Sequence, residues 1–207
     1  MVHGFHVIIP HYGFWLPNDP RGSWSEFVES WELARFGKTT RNLKRRTLEQ
    51  LTENELIQRD EMRKALKYPP VTLTGRQALG VAVGFKTLTQ KSSYTIWACA
   101  IMPEHTHLVI ARHKYKVEQI VNLLKGAATT QLIHEQLHPL AQSSKLGQRP
   151  PQMWGRHQWI VFLEDDEQIR NAIAYVVANP MKEGKPQQVW NWVTPYRGLG
   201  PGWTTYR

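Results

Sequence analysis

Hydrophobic and polar positions along this chain change period several times, and each change marks an element. Phe5-His-Val-Ile-Ile9 is short, apolar and β-branched, and predicts a first strand. Pro10 to Pro20 is rich in turn residues and aromatics. Further on, Thr52-Glu-Asn-Glu55 has the form of a helix capping box, and helix-prone sequence runs to Lys67 until Tyr68-Pro-Pro70 stops it. Thr74 to Gln90 predicts a second helix, with Leu79, Ala82, Val83 and Lys86 spaced for one face. Gly80 and Gly84 either weaken that helix or admit a close neighbour. Tyr94–Met102 and His105–Ala111 predict two strands joined by a Pro103-Glu104 turn. Val117–Leu137 reads as a long helix, His138–Gln152 as a loop and Trp159–Leu163 as a short strand. Asp165, with Gln168 three residues on, caps a helix running to Ala178, and Asn179-Pro180 is expected to end it.

This order of elements contains no internal repeat. It predicts an α+β sandwich, with an antiparallel sheet, helices on one face and a large insertion after the first strand. Residues 1–207 are read as one domain, with a basic insertion over 16–74 and an aromatic tail over 185–207.

Composition adds a partner to this outline. The net charge of +9 favours a polyanion, most often nucleic acid. Within the insertion, Arg35, Lys38, Arg41, Lys44, Arg45 and Arg46 fall in twelve residues without an acid. Such a run is a solvated face, or one that tracks phosphates. The nine tryptophans include core residues, but flat rings among Arg and Lys also suit single-stranded nucleic acid. No apolar run is long enough to span a bilayer, and the first residues lack the features of a secretion signal. The lone Cys99 fits a reducing cytoplasm.

Candidate chemistry begins at Met102-Pro-Glu-His-Thr-His-Leu-Val-Ile110. On a strand, His105 and His107 share one face, while Thr106, Leu108 and Ile110 take the other. Two neutral imidazoles side by side can hold a divalent cation with positions left open, or can be two unrelated histidines on a polar edge strand. The Asp165–Ala178 helix carries a stripe of Ile169, Ala172, Ile173, Val176 and Val177. Tyr175 lies on its flank with Asn179 one turn on. A phenol beside a bound cation is a candidate nucleophile, and an Asn carboxamide oxygen can ligate a hard cation such as Mg²⁺. The alternative is a tyrosine packed at a helix–sheet boundary.

The histidine segment resembles the Met-Pro-x-His-hydrophobic-His-Leu signature of single-tyrosine HUH transposases. Tyr175-Val-Val-Ala-Asn-Pro-Met-Lys-Glu-Gly184 resembles the Tyr-x-x-x-Asn-Pro-x-x-x-Gly segment of their REP-associated branch, and Trp154-Gly-Arg156 its Trp-x-Arg element. The resemblance covers roughly residues 94–184 and the first strand. It implies a ferredoxin-like sandwich, with His105 and His107 on a central strand binding Mg²⁺ or Mn²⁺ and Asn179 as third ligand. Tyr175 would attack single-stranded DNA, leaving a 5′-phosphotyrosine link and a free 3′-hydroxyl, usually near a recognised hairpin. Trp154 and Arg156 join the basic run as candidate DNA contacts, and a monomer or a homodimer would serve. The chain departs from the pattern at Thr106, where the family prefers an aliphatic, and in the length of the insertion.

Two other readings compete. His134-Glu-Gln-Leu-His138 matches the zinc-peptidase pattern, which needs both histidines on one helical face. A DNA-hairpin-binding protein descended from a transposase would keep the affinity without the chemistry.

Overall fold

The computed structural model describes residues 1–14, 16, 50–145 and 147–200. The Arg35–Arg46 run and the end of the tail, with Trp203 and Tyr206, lie outside the described residues. Four strands form one antiparallel sheet: β1 (Gly4–Pro10), β2 (Ile96–Ile101), β3 (His105–Ala111) and β4 (Trp159–Leu163). Their spatial order is β2-β3-β1-β4. The helices are α1 (Glu53–Lys64), α2 (Gly75–Ser92), α3 (Val117–His134) and α4 (Asp166–Lys182). With α2 between β1 and β2, and α3 between β3 and β4, this is the expected ferredoxin-like sandwich.

Local signals act where the sequence places them. Thr52 and Glu55 form a complete capping box at α1, and Thr74 with Gln77 does the same at α2. The Asp165 side chain accepts from the Gln168 N–H at 2.7 Å and starts α4. Each cap satisfies helix donors that have no partner within the helix.

Alternation then sorts the sheet into two faces. Val7, Ile9, Ile101, Leu108 and Ile110 form the main core with Val81 and Phe85 of α2 and Ile120, Leu124 and Leu132 of α3. On the opposite face Ala98, Ala100, Met102 and Val109 pack under Ile169, Ala172 and Val176 of α4. Helices therefore cover both faces of the sheet rather than one. The cause is β2, whose alternation is between large and small apolar side chains, so neither of its faces suits water.

The buried side of α2 also differs from the expected one. Leu79 and Val83 are exposed, whereas Gly80, Val81, Gly84 and Phe85 are buried. Close approach to α3 selects this side: a Cβ on Gly84 would lie 2.6 Å from the Ala128 Cα. Pro180 does not end α4, which continues to Lys182. A proline in the last turn removes only one helical hydrogen bond. Gly184 then stops the chain at φ 66°, with the Lys185 N–H donating to the Pro180 carbonyl at 2.9 Å.

The tail covers the open edge of β2. The Gln188 carboxamide accepts from the Ile101 N–H and donates to the Ile101 carbonyl, both at 2.8 Å. Trp190 Nε1 donates to the Cys99 carbonyl at 3.1 Å, and the Thr194 N–H to the Ile96 carbonyl at 2.8 Å. Two side chains and one backbone N–H thus stand in for a fifth strand and blunt an edge that would otherwise invite pairing. No helix among the described residues is long and apolar enough to cross a membrane.

Substituting Gly84→Val should force α2 and α3 apart, because the nearest atoms are backbone. A loss of about 1–3 kcal/mol in urea unfolding is expected for such overpacking. Unchanged stability would show that the helices can separate freely.

Candidate active site

The site forms where α4 crosses the sheet. His105 and His107 share the α4-facing side of β3, with ring centroids 4.7 Å apart. His107 is 2% exposed, and Ala100 on β2 and Ile8 on β1 are its register partners. Short Ala98 and Ala100 side chains let α4 lie close to the sheet. The Tyr175 ring comes within 5.6 Å of the His107 ring, although Tyr175 itself remains 43% exposed. A half-exposed phenol beside the buried His107 imidazole is placed to meet a ligand from solvent.

Asn179 follows one turn later but is buried, not on the flank expected from the apolar stripe. The stripe instead runs through Ile169, Ala172, Val176, Asn179 and Pro180. Its buried Nδ2 has no hydrogen-bond partner among the described residues. Leaving a buried amide unsatisfied costs about 1–3 kcal/mol. A half-turn about the terminal torsion exchanges its nitrogen and oxygen, so the same carboxamide can turn an acceptor into that space. Among the described residues no group of three or more His, Cys, Asp or Glu is arranged to hold a metal ion. Two imidazoles and a carboxamide are donors of the kind that suit a divalent cation with open positions.

Three further residues line the site and His11 supports it from the opposite face of β3; none of the four was singled out in the sequence. His6 of β1 places Nε2 3.1 Å from Nδ1 of His107. The Phe14 ring stacks on His105, with centroids 4.9 Å apart. The Lys182 ammonium lies 4.7 Å from the centre of the Tyr175 ring. His11 resolves the departure at Thr106, which is wholly buried on the core side. The Pro103 carbonyl can only accept, so His11 Nδ1 carries the proton it donates at 2.9 Å. His11 Nε2 is then an acceptor, and the Thr106 hydroxyl donates to it at 3.2 Å. A lone polar residue within an apolar strand is the signal that could have flagged His6, but its partner is set by β1–β3 pairing.

Other expected site residues separate. Trp154 is buried, and its Nε1 donates to the Lys125 carbonyl at 3.1 Å and to Thr129 Oγ1 at 2.9 Å. It is a packing residue rather than a surface on which a base could stack. Arg156 stays exposed on the following loop. That loop is held by Lys125, whose Nζ donates to the Gly155 carbonyl at 3.1 Å. The peptidase motif does not assemble: α3 ends at His134, Gln136 has a left-handed φ of 58°, and His138 Nδ1 accepts from the Leu140 N–H. The two histidines therefore lack a common helical face.

Residues 66–179 match the family model described as IS200-like transposase. The chain belongs to the IS200-like transposase family. No curated protein matches it. A REP-associated tyrosine transposase bound to a REP hairpin is similar in structure, with a TM-score of 0.45 and 11% identity over 88% of this chain and 68% of that one. A proposed transposase from Deinococcus radiodurans R1 has a TM-score of 0.44 and 13% identity over 86% of this chain and 91% of that one. Within this IS200-like transposase the family match includes both histidines, Tyr175 and Asn179.

Helix α1 also reaches this part of the transposase. Met62 of α1 packs with Leu16 and Leu66, and Arg63 pairs with Glu104 at 3.5 Å. Glu104 directly precedes His105, so α1 abuts the strand that carries the histidines.

Burial lowers the histidine pKa values from 6.5, to about 4 for His6, about 3 for His11 and about 2 for His107. These rings are neutral when folded and protonate near 6.5 when unfolded, so the unfolded state binds more protons below that value. Stability of the metal-free protein should hold above about pH 7 and fall as pH drops from about 6.5 toward about 4. Each ring contributes at most about 1.4 kcal/mol per pH unit. Urea unfolding across that range checks it, and a flat profile would contradict burial of neutral rings.

Proposed function

We propose that this IS200-like transposase cleaves and rejoins single-stranded DNA through a 5′-phosphotyrosine intermediate. The observation that carries the reading is Tyr175 of α4 beside His107 of β3, brought together from distant parts of the chain. The Tyr175 hydroxyl gives up its proton to solvent as its oxygen attacks a phosphorus of the DNA, the new P–O bond forms, and the bond to the 3′-oxygen breaks. The 3′-oxygen takes up a proton and leaves as a hydroxyl. Rejoining runs the same exchange backward, with the phenolate as leaving group. The phosphotyrosine link keeps the free energy of the phosphodiester, so ATP is not needed.

His105, His107 and Asn179 would hold Mg²⁺ or Mn²⁺. That cation would neutralise phosphate oxygens and polarise the phosphorus toward attack. Lys182 lies over the Tyr175 ring and holds it in place through a cation–π contact. The substrate is a strand near a DNA hairpin, bound through the net charge of +9, with Arg156 and the Arg35–Arg46 run as contacts. The basic 16–74 insertion serves as a recognition element.

Labelled single-stranded hairpins from around the gene, incubated with Mn²⁺, should give a covalent adduct on a denaturing gel. Tyr175→Phe should abolish the adduct and retain affinity, and His107→Ala or a chelator should block cleavage while much binding remains. Binding without an adduct in the native protein would favour a non-catalytic hairpin-binding protein. Lys182→Gln should slow adduct formation about 2–5-fold, as expected for a contact of roughly 0.5–1 kcal/mol. An unchanged rate would remove Lys182 from the chemistry.

A further inference from the structure

His6 is the polar position in an otherwise apolar central strand, Phe5-His-Val-Ile-Ile9. Its neighbours Val7 and Ile9 enter the main core, and alternation turns His6 to the α4 side. There its ring lies 5.3 Å from the His107 ring at an interplanar angle of 26°, and 5.6 Å from the Tyr175 ring. A polar contact joins His6 Nε2 to His107 Nδ1 at 3.1 Å.

A neutral imidazole has one N–H and one lone pair. His107 is buried, and its Nδ1 is occupied by His6. Any cation held by His107 must therefore meet Nε2. That nitrogen has a free lone pair only if the ring proton sits on Nδ1. His6 Nε2 must then accept, which puts the His6 proton on its own Nδ1. Among the neutral pairings, this one leaves His107 able to ligate.

We propose that His6 is the positioning residue that holds His107 in its ligating tautomer. This rests on the metal-binding reading of His105, His107 and Asn179. Ligating histidines commonly donate their second N–H to such a partner, and losing the partner weakens metal affinity about 10–100-fold. His6 touches neither the DNA nor the cation in this role. It fixes the direction in which His107 presents its lone pair and prevents a buried N–H from being orphaned. On the other face of β3, His11 satisfies Thr106 in the same way, again from the β1 end of the chain. The polar side chains of β3 at 106 and 107 thus each take a partner from a β1-side histidine.

Two measurements test it. Long-range ¹H–¹⁵N NMR of histidine-labelled, metal-free protein should show His107 protonated on Nδ1 and His6 unprotonated on Nε2. A His107 proton on Nε2 would overturn the proposal. Mn²⁺ titration followed by EPR should show His6→Ala weakened about 10–100-fold. His6→Gln, whose carboxamide oxygen can accept the same proton, should recover most of the affinity. Native-like Mn²⁺ affinity in folded His6→Ala would also overturn it. Should His6→Ala not fold, the tautomer measurement and His6→Gln still decide. Should the native protein take up no Mn²⁺, the metal reading fails by itself, and the His107 tautomer continues to judge the His6 pairing.

Discussion

Every feature of the candidate site depends on the register of β3 against β1. Ile8 lies opposite His107, and Ile9 opposite Thr106. In that register Leu108 and Ile110 enter the main core while His105 and His107 turn to α4. A slip of one residue would exchange the two sets, burying imidazoles among aliphatics and removing them from Tyr175. The apolar core of α2 and α3 therefore does more than stabilise the sheet. By accepting only one face of β3, it forces the histidines onto the other.

The second constraint is polarity inside a covered sheet. Because α4 closes the histidine face, neither side of β3 opens freely to water, and buried polar atoms need partners. Thr106 obtains one from His11, and His107 from His6. Asn179 keeps an unsatisfied buried amide. Thr106 and His107 are thus each given a partner within the chain, whereas Asn179, also expected to meet a cation, is left with bonding capacity. Burial also keeps these imidazoles neutral, which is the state in which a ring nitrogen can donate a lone pair.

Peripheral segments serve this arrangement. The tail blunts the β2 edge through Gln188 and Trp190, and its Tyr196 hydroxyl donates to Asp166 at 2.8 Å at the start of α4. The helix that carries Tyr175 is thereby held at its first turn by residues from beyond its own end. Lys125 and Trp154 fix the loop before β4 and leave Arg156 at the surface. Several aromatics that composition alone would offer to nucleic acid, Trp154, Trp190 and Trp192 among them, are instead packed in or against the core.

Much of this protein was legible in short-range sequence. Capping boxes, β-branched runs and the i, i+2 spacing of His105 and His107 involve neighbours in the chain, and they predicted the elements and most of their ends. The Tyr175–Asn179 segment and its order after the histidines were equally visible. What tertiary structure alone decided involves residues far apart. His6 and His107 are separated by 101 positions, and their contact follows from strand pairing that no local pattern encodes. The side of the sheet taken by α4, the glycine-lined side of α2 turned toward α3, and the burial of Trp154 likewise depend on what lies opposite. The physical reason is the same in each case. Hydrogen-bond caps and side-chain period are properties of a segment, whereas burial and partner choice are properties of two surfaces that meet only when the chain has folded.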